Sequence, residues 1–154
     1  MPGVTRIAFQ AAMRAAAVDL LKDYASSASI KLQVYAARPA SLFPPTAFVD
    51  RLTETTDYPG AVTWRQRTVR AEVVVVHGLF DSLEAVTQKD AFVDEFMDWV
   101  TDNVHAAGAN TTIAVVSVDD EPAWSPDWRP ANATNGPNPT YYATRLILEG
   151  FAGG

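Results

Sequence analysis

Cysteine is absent from the sequence, and histidine occurs only twice, at His77 and His105. The first absence removes disulfides and thiolate chemistry, and it takes from zinc its commonest ligand. Basic residues are also in deficit: 12 Lys and Arg stand against 18 Asp and Glu, a net charge of −6. A balance of that sign argues against a protein that grips nucleic acid by its phosphates. No apolar run approaches the roughly 18 residues of a membrane span, and the start, Met1 to Arg6, lacks a basic-then-apolar leader. The expectation is a soluble, cytoplasmic protein with no cofactor, no metal and no membrane partner. What remains is ordinary. Hydrophobic residues make up 48% and charged ones 19% of 154 residues, enough for one domain with a sizeable core.

Along the chain, Ile7, Ala11, Ala15, Val18, Leu20 and Leu21 recur at helical spacing, so a first helix is expected over about Val4 to Ala25. Ile30, Leu32 and Val34 alternate with polar neighbours, as in a half-buried strand. Prolines 39, 44 and 45 then break regularity. Ala47–Thr56 and Val62–His77 read as a hairpin turning at "DYPG", and Leu83–Ala107 as a long helix stopped by Gly108. Thr111–Val118 and Tyr141–Phe151 read as the last two strands. The order α-β-β-β-α-β-β implies an α+β domain over residues 1–154, with two main helices on a mostly antiparallel sheet of about five strands.

The stretch "VVVVHGLFDS", Val73 to Ser82, resembles the oxyanion strand of an α/β-hydrolase. That chemistry needs a G-x-S-x-G elbow followed by an acid and a histidine, and no G-x-S-x-G is present. His105 precedes no partner set. Asp81 or Ser82 suits a helix cap instead, so His77-Gly78 reads as a strand-to-helix turn. Asp119, Asp120 and Glu121 alternate in direction on a strand and do not converge on a metal. They read as a solvated strand end. Asn132-Ala133-Thr134 fits the glycosylation pattern but carries no meaning without export. The expectation is no catalytic, cofactor or metal site.

The long helix is more informative. Asp90, Asp94, Asp98 and Asp102 form one acidic stripe. Val86, Val93, Met97, Val100 and Val104 are the face expected to pack on the sheet, with Phe92, Phe96 and Trp99 to one side. Together the apolar positions cover an arc of roughly 160°, wider than the ~100° stripe of a surface helix. Either a thick core absorbs the aromatic shoulder, or it meets a neighbouring subunit. In the second case the acids Asp94 and Asp98 would face Arg65 and Arg67, which share one face of a strand, across a head-to-tail contact. The alternative for the arginines is a solvated sheet face.

Residues 121–139 hold five of the ten prolines, with Trp124 and Trp128 among them. Structureless connections of this length are uncommon unless they bind something, and tryptophan is a frequent interface anchor. Both indoles either dock a partner or fold back on the sheet as a lid.

"RPASLFPPTAFVDRLTE", "HGLFDSLEAVTQKDAFVDEFMDWVTDNVHAAGANT" and "YYATRLILEG" resemble segments of the small tail terminator or tail completion proteins of long-tailed phages, the lambda tail terminator class. The similarity is greatest to phages of actinobacteria and runs from about Arg38 onward. It implies a small α+β subunit of a homo-hexameric ring that ends tail-tube growth and provides the head-joining surface. The implied partners are further copies of the chain, the major tail tube protein, and a head-completion or connector protein. DNA would pass through the ring without specific binding, and the protein would be assembled in the host cytoplasm and end in the virion. The resemblance assigns no active-site residues. Rival readings are a head–tail connector or other neck protein, a small enzyme using His77 with acids such as Asp81, and a monomeric binding module using the tryptophan loop.

Overall fold

The computed structural model describes residues 6–57, 66–102, 113–133 and 136–153. Within them the chain forms α1 (Arg6–Ser27), β1 (Gln33–Tyr35), β2 (Thr46–Asp57), β3 (Gln66–Leu79), α2 (Leu83–Asp102), β4 (Ala114–Trp124) and β5 (Tyr141–Gly153). This is the α+β order that the hydropathy pattern implies. The sheet runs β1-β2-β3-β5-β4; β1 lies parallel to β2 and the other neighbours are antiparallel. The expected "DYPG" turn and the Gly108 stop lie outside the described residues.

Alanine-rich sequence favours α1, and its buried stripe is Phe9, Met13, Ala16, Ala17, Leu20, Leu21 and Tyr24. The spacing of 4, 3, 1, 3, 1 and 3 residues is one helical face. The expected stripe is corrected here, because Ala11 and Ala15 are exposed. Ser29 adopts a left-handed backbone (φ 56°), and the Ile30 N–H reaches back to the Ala25 carbonyl at 2.9 Å. That reversal ends the helix as a Schellman-type closure does.

The valine run of β3 is continuous because its strand is covered on both sides. Val69, Ala71, Val73 and Val75 face the helices. Val74 and Val76 face away, into a second cluster with Phe48, Leu42, Tyr141 and Ala143. Burial at roughly 1.5–3 kcal/mol per large apolar side chain makes this strand the centre of the fold.

α2 is rotated relative to the sequence expectation. Ala85, Lys89, Phe92 and Phe96 are its buried residues, whereas Met97 is exposed and Val86 and Val93 are half-buried. Tyr24 joins the two helices: its ring meets Phe92, Phe96 and Trp99 edge-on at 5.3, 5.1 and 5.3 Å. Such edge contacts add about 0.5–1.5 kcal/mol each beyond area burial.

Candidate functional site

β3 enters α2 through a tight corner. Ser82 is the cap: its Oγ accepts the Ala85 N–H at 3.3 Å and its carbonyl the Val86 N–H at 3.2 Å. Gly78 fits against Ala85 so closely that a Cβ there would lie 2.7 Å from the Ala85 Cβ. His77 is not in a turn. It belongs to β3, at the register shift between Val76 and Gly78, and is buried. Its Nε2 shares a 2.9 Å hydrogen bond with Thr144 Oγ1, and its ring lies 5.4 Å from that of Phe92. Burial, helped by the Lys89 charge and partly opposed by Asp120, pushes the imidazole down to about 4.

A histidine beside a hydroxyl has the form of a base and nucleophile. Thr144 is fully buried, however, so its oxygen is not presented to a substrate. The pair satisfies two buried polar groups with each other. Asp81, the acid expected to accompany His77 in an enzyme, is exposed in the corner.

Lys89 is the charged residue that the sequence reading missed. Its side chain is 8% exposed, and Nζ donates to Asp120 Oδ2 at 3.0 Å, with Asp90 Oδ1 at 3.5 Å and the Tyr142 ring at 5.3 Å. Burial opposes the ammonium's charge, but the carboxylates outweigh it and hold Lys89 above its ordinary value. Of the expected solvated acids, Asp120 is therefore engaged by α2, Glu121 turns to the other face and pairs with Arg145 at 3.2 Å, and Asp119 accepts from Ser117. Among the described residues no group of three or more His, Asp or Glu is placed to hold a metal ion.

Two adjoining cavities flank α2, of about 300 and 570 Å³. They share Pro45, His77, Glu84 and Gln88 as lining residues. Tyr24 lines the larger one. Its hydroxyl is buried and has no hydrogen-bond partner. Burial, then the nearby Glu95 charge, pushes the phenol above its usual range.

The opposite side of the sheet carries no helix among the described residues. Ion pairs cover part of it: Arg51 with Glu72 at 3.8 Å, Arg145 with Glu72 at 3.8 Å, and Arg70 with Glu149 at 2.7 Å. The start of the β4–β5 connection covers another part. Trp124 and Trp128 pack on the second apolar cluster, and Trp128 meets Phe48 edge-on at 5.3 Å. The Trp128 Nε1–H donates to the Pro39 carbonyl at 3.2 Å, while Arg38 sits 4.9 Å above the indole and pairs with Asp50 and Asp127. Asn132 of the glycosylation pattern bonds both the N–H and the carbonyl of Leu42, at 2.9 and 2.6 Å.

These positions correct several expectations. Phe92 and Phe96 are sealed inside the chain's own core, so neither reaches a neighbouring subunit; Trp99 is half-buried against Tyr24. Trp124 and Trp128 are half-buried against the second cluster, folded back on the sheet as a lid and not extended outward as docking anchors. Trp124 itself ends β4, so the connection begins at Ser125. Arg67 lies on the helix side, largely covered and 3.9 Å from Glu54, which removes it as a partner for another subunit's acids. Arg65 lies outside the described residues. Asp90, Asp94, Asp98 and Asp102 are exposed as expected. Lys89 could have been found by anchoring the helical repeat on Phe92 and Phe96, since 85, 89, 92 and 96 share a face.

Comparison with known protein families and with curated proteins finds no match to this chain. Among the described residues no helix is long and apolar enough to cross a membrane.

Proposed function

We propose that this chain is a virion structural protein of a long-tailed phage, assembling head to tail into a ring that caps the tail tube. The ring ends tube growth and offers the surface to which the head is joined. The observation that carries the reading is the placement of charge on opposite sides of one sheet. Asp90, Asp94 and Asp98 are exposed on α2, on the helix side. Arg51 and Arg70, with side chains 65% and 53% exposed, lie on the opposite side of the sheet from α1 and α2. A contact between unlike faces of successive copies is heterologous, and it closes into a ring when the rotation allows. Exposed ion pairs contribute only about 0.2–1 kcal/mol each, so they set register while exposed Met97 and Phe151 add apolar area. Arg51 and Arg70 take the part that Arg65 and Arg67 had in the sequence reading.

The resemblance in the segments from Arg38 onward supports a terminator over a head–tail connector, which would also form a ring. The partners are then the tail tube protein on one side and a head-completion protein on the other, with the protein assembled in the host cytoplasm and carried in the virion. A net charge of −6 suits a ring through which DNA slides without being held.

Sedimentation equilibrium tests the reading. Six copies of 16.7 kDa amount to about 100 kDa. Asp94→Lys with Asp98→Lys should dissociate the ring without loss of helix signal, and Arg51→Glu with Arg70→Glu should restore part of it. A protein that stays monomeric at every concentration, and in the presence of tail tubes, overturns the proposal.

A further inference from the structure

We infer that the trough beside α2 is a docking site for an extended segment of a partner protein, one that carries apolar side chains next to lysine or arginine. The inference is independent of ring formation.

The two cavities merge through Pro45, His77, Glu84 and Gln88 into one trough. One wall is α2, through Glu84, Gln88, Ala91 and Glu95. Steps of 4, 3 and 4 residues place these on a single helical face. From first to last they span about 16 Å at ~1.5 Å per residue, the reach of about five extended residues at ~3.3 Å each. The facing wall is the irregular segment Ala28–Leu32. A trough of this length and openness suits a chain segment better than a small molecule, which is normally enclosed.

Its floor is apolar but not silent. Tyr24, Val75 and Phe92 supply the apolar surface. The Tyr24 hydroxyl is buried with no partner. Leaving a buried hydroxyl unpaired costs about 1–3 kcal/mol, and native structures hold few such groups. A backbone carbonyl lying in the trough would satisfy it once the side chains covering the hydroxyl part. His77 offers a second polar atom, because only its Nε2 is engaged within the chain.

Charge selects the occupant. Glu84 and Glu95 are exposed on the α2 wall, with Lys31 as the cation on the other. Two carboxylates thus stand against one ammonium among the lining side chains. The excess is acidic. A second copy of a chain carrying −6 overall is the less favoured guest. The rim also carries an exposed apolar side chain, Leu79, which lines the smaller cavity and is 49% exposed.

The test uses the full chain, labelled with ¹⁵N, and the probe acetyl-Lys-Leu-Val-Leu-Arg-amide. Saturable shifts are expected at the amides of Tyr24, Ala28, Gln88 and Ala91, and none with the Glu-Leu-Val-Leu-Glu counterpart. Glu84→Gln with Glu95→Gln should weaken binding about three- to tenfold. Ala91→Trp, on an exposed helical position, should abolish it while leaving the fold intact. Tyr24→Phe should weaken binding several-fold yet keep or raise the thermal midpoint of the free protein, which a purely structural tyrosine would not do. Equal binding of the acidic peptide, undiminished binding to the Ala91→Trp variant, or no saturable shift at millimolar peptide overturns the proposal. So does loss of self-association in the Ala91→Trp variant, which would make the occupant a second copy. Binding of phenethylamine without any binding of the peptide would likewise overturn it in favour of a small-molecule site.

Discussion

Lys89 occupies a position where the α2 pattern demands an apolar residue, between Ala85 and Phe92 on the buried face. Its side chain is 8% exposed while that of its partner Asp120 is 50% exposed. Removing the two partners should therefore have unequal consequences. Asp120→Ala strips the ammonium of its 3.0 Å carboxylate and leaves Asp90, at 3.5 Å, as the remaining counter-charge. An orphaned buried charge costs about 3–5 kcal/mol; the half-exposed carboxylate and the surviving Asp90 bring the expected loss to about 1–3 kcal/mol. Lys89→Met keeps the buried stem, removes the charge, and leaves Asp120 to water, so its cost should fall within about 1 kcal/mol of zero.

A gap near 2 kcal/mol separates the variants by about 4–8 °C in thermal midpoint for a chain of this size. Circular dichroism melts and urea titrations would measure it. A second reading comes from His77, whose protonation the Lys89 charge opposes and Asp120 favours. Its imidazole midpoint, followed by NMR, should rise in Lys89→Met and fall in Asp120→Ala. The reasoning is refuted if Lys89→Met destabilises as much as Asp120→Ala, because the ion pair itself, and not the stem, would then hold β4 to α2.

Two further expectations concern groups that the sheet encloses. His77 in the folded protein sits at about 4, below its ordinary 6.5, so between those values the unfolded chain binds more protons and stability falls as pH falls. The loss should approach about 3 kcal/mol across that window and stop below it, since about 2.5 units at 1.36 kcal/mol each sets the ceiling; urea midpoints at pH 7 and pH 4.5 should converge for His77→Gln, and an unchanged slope in that variant would discount the histidine. Trp128→Ala removes an indole from the second cluster and should cost about 2–4 kcal/mol. It should also open the segment around Trp128 to protease, whereas a variant as stable as the parent would show that this segment does not cover the sheet.

The architecture was legible where one force dominated. Alternation and helical spacing gave the order of the described strands and helices, though not all their bounds (β4 runs on to Trp124), because burial of a single face leaves a period in the sequence. The four valines of β3 stand out as a solid block for the opposite reason: helices cover one side and the Trp128 segment the other. The rotation of α2 was misread because Lys89 interrupts the apolar stripe, and only Asp120, 31 residues later, explains why a cation can lie there. The fate of Trp124 and Trp128 was illegible for a similar reason. Their partners Phe48 and Pro39 are remote in sequence, and composition alone does not distinguish a tryptophan that anchors a partner from one that closes its own core. The Tyr24 hydroxyl leaves no trace in the sequence, since an aromatic on a buried stripe is normally read as core.

α2 divides into sectors that can be separated by mutation. At roughly 100° per residue, Ala85, Lys89, Phe92 and Phe96 cluster about one direction. Glu84, Gln88, Ala91 and Glu95 lie roughly 100° to one side of it, and Asp90, Asp94 and Asp98 roughly a further 90° round. The first sector holds the fold, the second lines the trough, and the third faces outward. Ala91→Trp should therefore spare the ring, and reversal of Asp94 and Asp98 should reach a peptide in the trough only through a field that salt screens within about 10 Å. Measured together at physiological ionic strength, the two sets of changes should be additive within about 0.5 kcal/mol, as they are for sites without shared partners. A larger coupling would mean that the trough and the subunit contact are one surface, seen by the same partner.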